Sequence, residues 1–312
     1  MSKKKRNALV DYLGYLGLRV VISIIQAIPV DMGARLMRFA AWILGDVFKV
    51  RYKVTDENLQ HAFPEMSADE RRKIIRGMWE HLFLLVLEVA HAPRKIHETN
   101  WRDYVELENS ADAVRALLDE RPTMLVTAHF GNFEVAGVVL AILGFPTYSI
   151  ARPLDNPYVD RYINQFRGST GQHIIAKHGE YERIEEILAS GEAMAFLADQ
   201  YAGPKGCWVE FFGRKASAHK AIALLSIAND APMVITAAKR TAPLHFCISV
   251  PAVRDPRTAT DDVGSIKDLT QWYTLELEKF IRATPSQYWW LHRRWKDTRA
   301  QDKARRKQRR AA

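Results

Sequence analysis

The sequence predicts an α/β fold, a largely parallel central sheet flanked by helices, preceded by an N-terminal helical membrane-proximal region. Three observations carry this. From residue 121 onward short apolar runs alternate with amphipathic segments, a βαβ pattern that right-handed crossovers close into a mostly parallel sheet. Residues 32–93 read as helical throughout. Residues 8–28 form an apolar stretch of about the 20 residues needed to cross a bilayer.

Taken in order, Asp11, Arg19 and Gln26 interrupt the first stretch. A charge near the centre of an inserted helix costs roughly 2.5–3.5 kcal/mol, which disfavours a clean span. Residues 1–47 are therefore expected to be membrane-associated helices lying in or shallowly inserted into the interface, with a pair of core helices as the competing reading. No small-residue cleavage site precedes Pro29 and Asp31, so a signal peptide is not expected. Residues 48–298 are expected to form the α/β domain, with a helical lead-in over 48–120. Within that lead-in, residues 56–64 read as a short helix stopped by Pro64, and Ser67-Ala-Asp-Glu70 is a capping-box start. Strands are expected at residues 123–128, 147–151, 173–176, 193–198, 233–238 and 245–250. Helices are expected between them at 133–143, 158–168, 181–189 and 216–228.

The net charge of +9 sits at the ends: Lys3, Lys4, Lys5 and Arg6 at one, and a basic run from Arg293 through a tail over 299–312 at the other. The body between is slightly acidic, so the charge points to an anionic surface or partner beside the ends, not to a nucleic-acid-binding fold. Only Cys207 and Cys247 occur, without C-x-x-C spacing, which excludes a disulfide framework or zinc module and suits a reducing compartment.

Chemistry gathers where the strands end. Residues 124–128 run directly into His129-Phe-Gly-Asn-Phe-Glu134, so the imidazole falls at the carboxyl end of a buried strand, and Gly131 and Asn132 allow a turn into the next helix. A neutral imidazole can take a proton from a hydroxyl near pH 7, and a carboxylate on its far nitrogen would fix the tautomer. Glu134 is the expected carboxylate. The residues after the other strands are Arg152, Lys177 with His178, Asp199, and Lys239 with Arg240, on the edge where open α/β sheets bind ligands. A Gly-x-Ser-x-Gly elbow, a Walker A loop, Gly-x-Gly-x-x-Gly and His-Glu-x-x-His are all missing, and His173 and His178 read as a strand and its exit, so no metal is expected.

Five segments in order carry a family resemblance: residues 129–134, Ala151-Arg-Pro-Leu-Asp-Asn-Pro157, Leu197-Ala-Asp-Gln200, Gly206-Cys-Trp-Val-Glu-Phe-Phe-Gly213 and Gln287-Tyr-Trp-Trp-Leu-His-Arg-Arg-Trp-Lys296. Together with Asn58-Leu-Gln-His-Ala-Phe-Pro64 they resemble the late acyltransferases of lipid A biosynthesis, of the lauroyl and myristoyl type, within the lysophospholipid acyltransferase-like superfamily. The resemblance implies transfer of a fatty acyl chain from acyl carrier protein to a hydroxyl of a glycolipid precursor, without a covalent acyl-enzyme and without a cofactor. His129 would be the general base and Glu134 its orienting carboxylate. Backbone N–H groups at the Gly131 turn, or Arg152, would support the oxyanion; Arg152 is equally suited to a phosphate of the acceptor. Asn132 would cap the following helix or support the site, Asp199 matches an acidic position of the family, and Arg293 and Arg294 match its basic C-terminal motif. The implied setting is the cytoplasmic face of a bacterial inner membrane, with anionic lipid, carrier protein and glycolipid acceptor as partners and no nucleic acid.

Two departures bear on specificity. A Phe-Pro-Glu-Gly-Thr block, common in glycerol-phosphate acyltransferases of the wider superfamily, is missing, which argues against a glycerophospholipid acceptor. Ser217-Ala-His-Lys220 stands where the family usually has a threonine- and glycine-containing stretch. The alternatives are a related enzyme acting on another glycolipid, such as a phosphatidylinositol mannoside, with acyl-coenzyme A as donor, and a non-catalytic membrane-binding protein.

Overall fold

Helices α1 (Ala8–Ala27), α2 (Val30–Trp42), α3 (Tyr52–Ala62) and α4 (Ala68–Lys95) lead the chain, in a computed structural model that describes residues 7–176, 179–257 and 264–296. The charged ends at residues 1–6 and 297–312, and Lys177 with His178, lie outside the described residues. A π-helical turn at Ile43–Val47 separates α2 from a short loop before α3. The capping box forms as its sequence requires: Ser67 Oγ accepts from Glu70 N at 3.3 Å and Glu70 Oε2 accepts from Ser67 N at 2.8 Å.

Then follow β1 (Val105–Glu108), α5 (Ala111–Leu117), β2 (Thr123–Thr127), α6 (Phe133–Ile142), β3 (Thr147–Ala151), α7 (Pro157–Ser169), β4 (Gln172–Ala176), α8 (Tyr181–Ala189) and β5 (Ala193–Leu197). The chain continues through β6 (Cys207–Phe211), β7 (Arg214–Ala218), α9 (Lys220–Ala228), β8 (Met233–Ala242), β9 (His245–Arg254) and α10 (Ile266–Ala283). Seven strands form one sheet in the order β1-β9-β8-β2-β5-β3-β4, and β6 with β7 makes a separate hairpin. Every pairing in the large sheet is parallel except β8 with β9. The expected parallel α/β sheet is therefore present, with one antiparallel pair.

Central strands are buried on both faces, which explains their unbroken apolar runs. Met124, Val126, Met194 and Met233 pack toward α9 and α10 through Ile222, Leu269, Tyr273 and Leu277. Leu125, Val234 and Val250 pack on the opposite side against Ala113 and Ala116 of α5.

Three sequence expectations change. Residues 216–218, the start of the expected 216–228 helix, belong instead to strand β7; small residues such as Ala216 and Ser217 carry little periodicity, and they are buried by the hairpin. Strand β1 and hairpin strand β6 were not anticipated, nor was α10. The last two strands are longer than expected because β8 and β9 pair as a hairpin beyond the core.

Helix α1 lies along the body. Asn156 Nδ2 donates to Asp11 O at 2.8 Å near one end, and Gln26 Nε2 donates to Ala90 O at 2.8 Å near the other. Its outer face exposes Leu9, Val10, Leu13, Val20, Val21 and Ile24, and α2 continues the apolar surface through Leu36, Phe39 and Trp42.

Candidate active site

The site follows from strand register. Strands β2 and β5 are parallel neighbours with Thr127 opposite Leu197, and Ala198 N continues the ladder to Thr127 O at 2.8 Å. Two residues on, His129 and Asp199 emerge side by side at the carboxyl edge of the sheet. His129 Nδ1 lies 2.8 Å from Asp199 Oδ1, and His129 N donates to the same oxygen at 3.2 Å. With Nδ1–H donating to the carboxylate, Nε2 is the free acceptor, and the Gln200 amide nitrogen stands 3.3 Å from it. Phe133 and Trp289 set their rings edgewise to the imidazole at 5.4 and 5.2 Å between centroids.

Charge follows geometry. Burial works against the imidazolium of His129, yet the Asp199 carboxylate, with a smaller contribution from Glu134, outweighs it and lifts the imidazole above its ordinary 6.5. Burial alone would raise Asp199, but the charge and hydrogen bonds of His129 bring it down to about 2. Tyr288, fully enclosed, also bonds to Asp199.

Glu134 is not the orienting carboxylate, a correction to the sequence reading. It occupies the first turn of α6 and accepts from Arg167 of α7, with Arg167 Nε at 3.1 Å from Oε2 and Arg167 Nη2 on Oε1. A spacing that crosses a turn into a helix does not say which way the side chain leaves, and here it leaves toward α7. Its charge reaches His129 only through space.

The Gly131 turn is not an oxyanion hole in this structure. His129 N is spent on Asp199, Phe130 N on Ala128 O at 2.7 Å, Gly131 N on Gln287 O at 2.9 Å and Asn132 N on Ala238 O at 2.8 Å. Gly131 is required there for another reason: its φ is +55°, and a Cβ would stand 1.8 Å from Ala238 O. Asn132 caps α6, its side chain accepting from Val135 N at 3.1 Å.

Behind the turn lies a closed polar network that sequence reasoning missed. Glu88 of α4 accepts from Asn132 Nδ2 at 2.8 Å, from Leu244 N at 3.2 Å and from both Nε and Nη2 of Arg240. Arg240 Nη1 bonds His81 Nδ1, and His81 Nε2 then donates to Gly131 O at 3.2 Å. Burial first, then the Arg240 charge, brings His81 down to about 3, so it stays a neutral relay. The available signal was Glu88 itself, a charge inside the apolar run from Trp79 to Ala92.

The predicted basic residues separate. Arg152 is 82% exposed at its side chain and leans on Asp155 at 3.5 Å. Arg293 is exposed, whereas Arg294 is buried, with Nη1 donating to Ser217 O and its guanidinium over Phe211. Arg294 thus supports the hairpin and the floor of the site. The C-terminal motif is also held from the front of the chain, since Asn58 Nδ2 donates to Trp290 O and His292 O, each at 2.7 Å.

Residues 1–297 match the family model described as bacterial lipid A biosynthesis acyltransferase. The chain belongs to that family. It is an acyltransferase. Among curated relatives it is 26% identical to the lipid A biosynthesis lauroyltransferase of Escherichia coli K12, covering 91% of this chain and 92% of that one. It is 25% identical to the palmitoleoyltransferase of the same organism over 80% and 79% of the two chains. The crystal structure of the 1-acyl-sn-glycerophosphate acyltransferase PlsC from Thermotoga maritima aligns with 84% of this chain and all of that one at 12% identity, with a TM-score of 0.38. The α/β sheet described above establishes the fold class independently of that alignment.

Proposed function

We propose that this acyltransferase moves a fatty acyl group from an acyl-carrier-protein thioester to a hydroxyl of a lipid A precursor at a membrane surface. The observation that carries the chemistry is the 2.8 Å contact between His129 Nδ1 and Asp199 Oδ1, which in the neutral imidazole makes Nε2 the acceptor at the sheet edge. In this reading Nε2 takes the acceptor's hydroxyl proton as its oxygen attacks the thioester carbonyl. The tetrahedral intermediate collapses, the C–S bond breaks, and the imidazolium returns the proton to the departing thiolate. Asp199 stabilises the imidazolium while it exists.

The relatives named above support the acceptor class. The exposed guanidinium groups of Arg152 and Arg293 suit the anionic groups of a phosphorylated glycolipid, and the basic ends suit an acidic carrier protein or anionic lipid. For membrane association the support is α1, long and apolar enough to cross a bilayer with a mean hydropathy of 1.7. Because α1 is bonded to the body near both ends, we read it as lying within one leaflet together with the exposed face of α2.

The test is to incubate the purified protein in mixed micelles with a labelled acyl-carrier-protein thioester and a Kdo-bearing lipid A precursor. Label is expected in the precursor and to fall by roughly 10²-fold or more with His129→Ala. Transfer to a different glycolipid alone, or only from acyl-coenzyme A, would overturn the assignment of acceptor or donor respectively.

A further inference from the structure

We propose that the side-chain amide of Gln200 is the oxyanion donor of the acyl transfer. The inference rests on His129 being the base, as proposed above, and it adds a group that touches the reacting atoms. A thioester carbonyl under attack by a hydroxyl gathers negative charge on its oxygen, so the site needs a donor aimed at that oxygen and not already committed. The four backbone N–H groups of the 129–132 turn are all committed to protein acceptors. Arg152 leans on Asp155 in solvent, and Arg294 is buried on Ser217 O. Gln200 Nε2 stands 3.3 Å from His129 Nε2, beside the nitrogen that receives the proton.

That position suits the role. A hydroxyl bonded to Nε2 puts its oxygen about 2.8 Å from the imidazole. The carbonyl oxygen it creates is two bonds further on, within reach of a donor alongside the same nitrogen. Gln200 is also held between two anchored neighbours: Asp199 is fixed on His129, and Tyr201 N donates to His292 Nε2 at 3.0 Å. In the resting site the amide donates to Nε2. When the acceptor hydroxyl takes over that nitrogen, the amide hydrogen is released to the oxygen where charge develops. The bond therefore strengthens in the transition state rather than in the substrate complex, which is the condition for raising kcat.

Steady-state acyl transfer by full-length Gln200→Ala and Gln200→Glu, with His129→Ala alongside, tests this. A lost oxyanion donor predicts a fall in kcat of about 10²–10³-fold in Gln200→Ala, with KM for both substrates nearly unchanged. Gln200→Glu keeps the shape but turns the donor into a carboxylate. It should lose at least as much, and the acid limb of its pH profile should move to higher pH because a negative charge then faces Nε2. Gln200→Glu with near-normal kcat would overturn the proposal, as would raised KM with kcat intact in Gln200→Ala. A full-activity His129→Ala would instead overturn the parent reading. Thermal melting of each variant separates these outcomes from misfolding, and a variant melting like the wild type with its kcat unchanged also counts against the proposal.

Discussion

Two histidines, one mostly enclosed and one fully buried, bracket the same turn and have been driven in opposite directions. His129 sits in front of it with a carboxylate on Nδ1 and is held above the ordinary value. His81 sits behind it with a guanidinium on Nδ1 and is pushed down to about 3. Burial acts on both in the same sense, so the sign is decided by the partner on Nδ1. One imidazole is favoured in its protonated form relative to a free histidine, and the other is fixed as a neutral hydrogen-bond relay that holds Gly131 in place. The residue type carries no function by itself; the charge across from it does.

The largest effect should come from the front of the turn. His129→Ala is expected to cost roughly 10²–10⁴-fold in kcat/KM without lowering the melting temperature, as judged by transfer assays and calorimetry. Asp199→Asn should lower kcat too and move the acid limb of the pH–rate profile to lower pH, because burial then acts on His129 with less opposition. An unmoved acid limb would break the comparison.

Behind the turn the expected loss is one of folding. Glu88→Ala leaves the Arg240 guanidinium buried without its carboxylate and should destabilise the protein by about 3–5 kcal/mol in urea denaturation. Equal stability would mean that the network is not the support described here.

A third variant set addresses the carboxylate that the sequence favoured. Glu134 and Arg167 form one unit, so in a double-mutant cycle with alanine their effects on kcat/KM should be less than additive, with a coupling of about 0.5–3 kcal/mol. Glu134→Gln should move the acid limb less than Asp199→Asn does. A larger movement would return the orienting role to Glu134.

The smallest effect is a pH dependence of stability. A free histidine binds a proton below about 6.5, whereas folded His81 refuses it down to about 3. Within that window the unfolded chain holds more protons, so stability falls as the pH drops from 6.5 toward 3. His81→Gln should flatten this part of the urea-midpoint profile measured between pH 7 and 5.

The same two histidines show how much of the molecule could be read beforehand. His129 was legible because it ends an apolar run, and strand ends in such sheets collect ligands. The strands over 123–127, 147–151 and 193–197 were legible for the same reason. Their lateral order was not, since nothing in an apolar run says which strand will be its neighbour. Only register sets Asp199 beside His129 across 70 residues of chain, while the nearer Glu134 turns away. Gln200 was visible as part of a motif but had no assigned chemistry without the imidazole next to it. Hairpin strand β7 escaped because small residues mark neither a helix nor a strand, and the tail over 299–312 lies outside the described residues.

The Asn58 clamp on the carbonyls of Trp290 and His292 has a consequence in time. Its partners lie 232 and 234 residues downstream. At bacterial-scale synthesis rates of about 5–20 residues per second, α3 waits roughly 12–47 seconds for the segment it must hold. A nascent chain can already own the imidazole and its acid by then, yet Trp289 and Tyr288, which close over them, are still inside the ribosome or unmade. The surroundings of His129 are thus complete only once residues 288–292 have been made, more than 200 residues after the asparagine that clamps them.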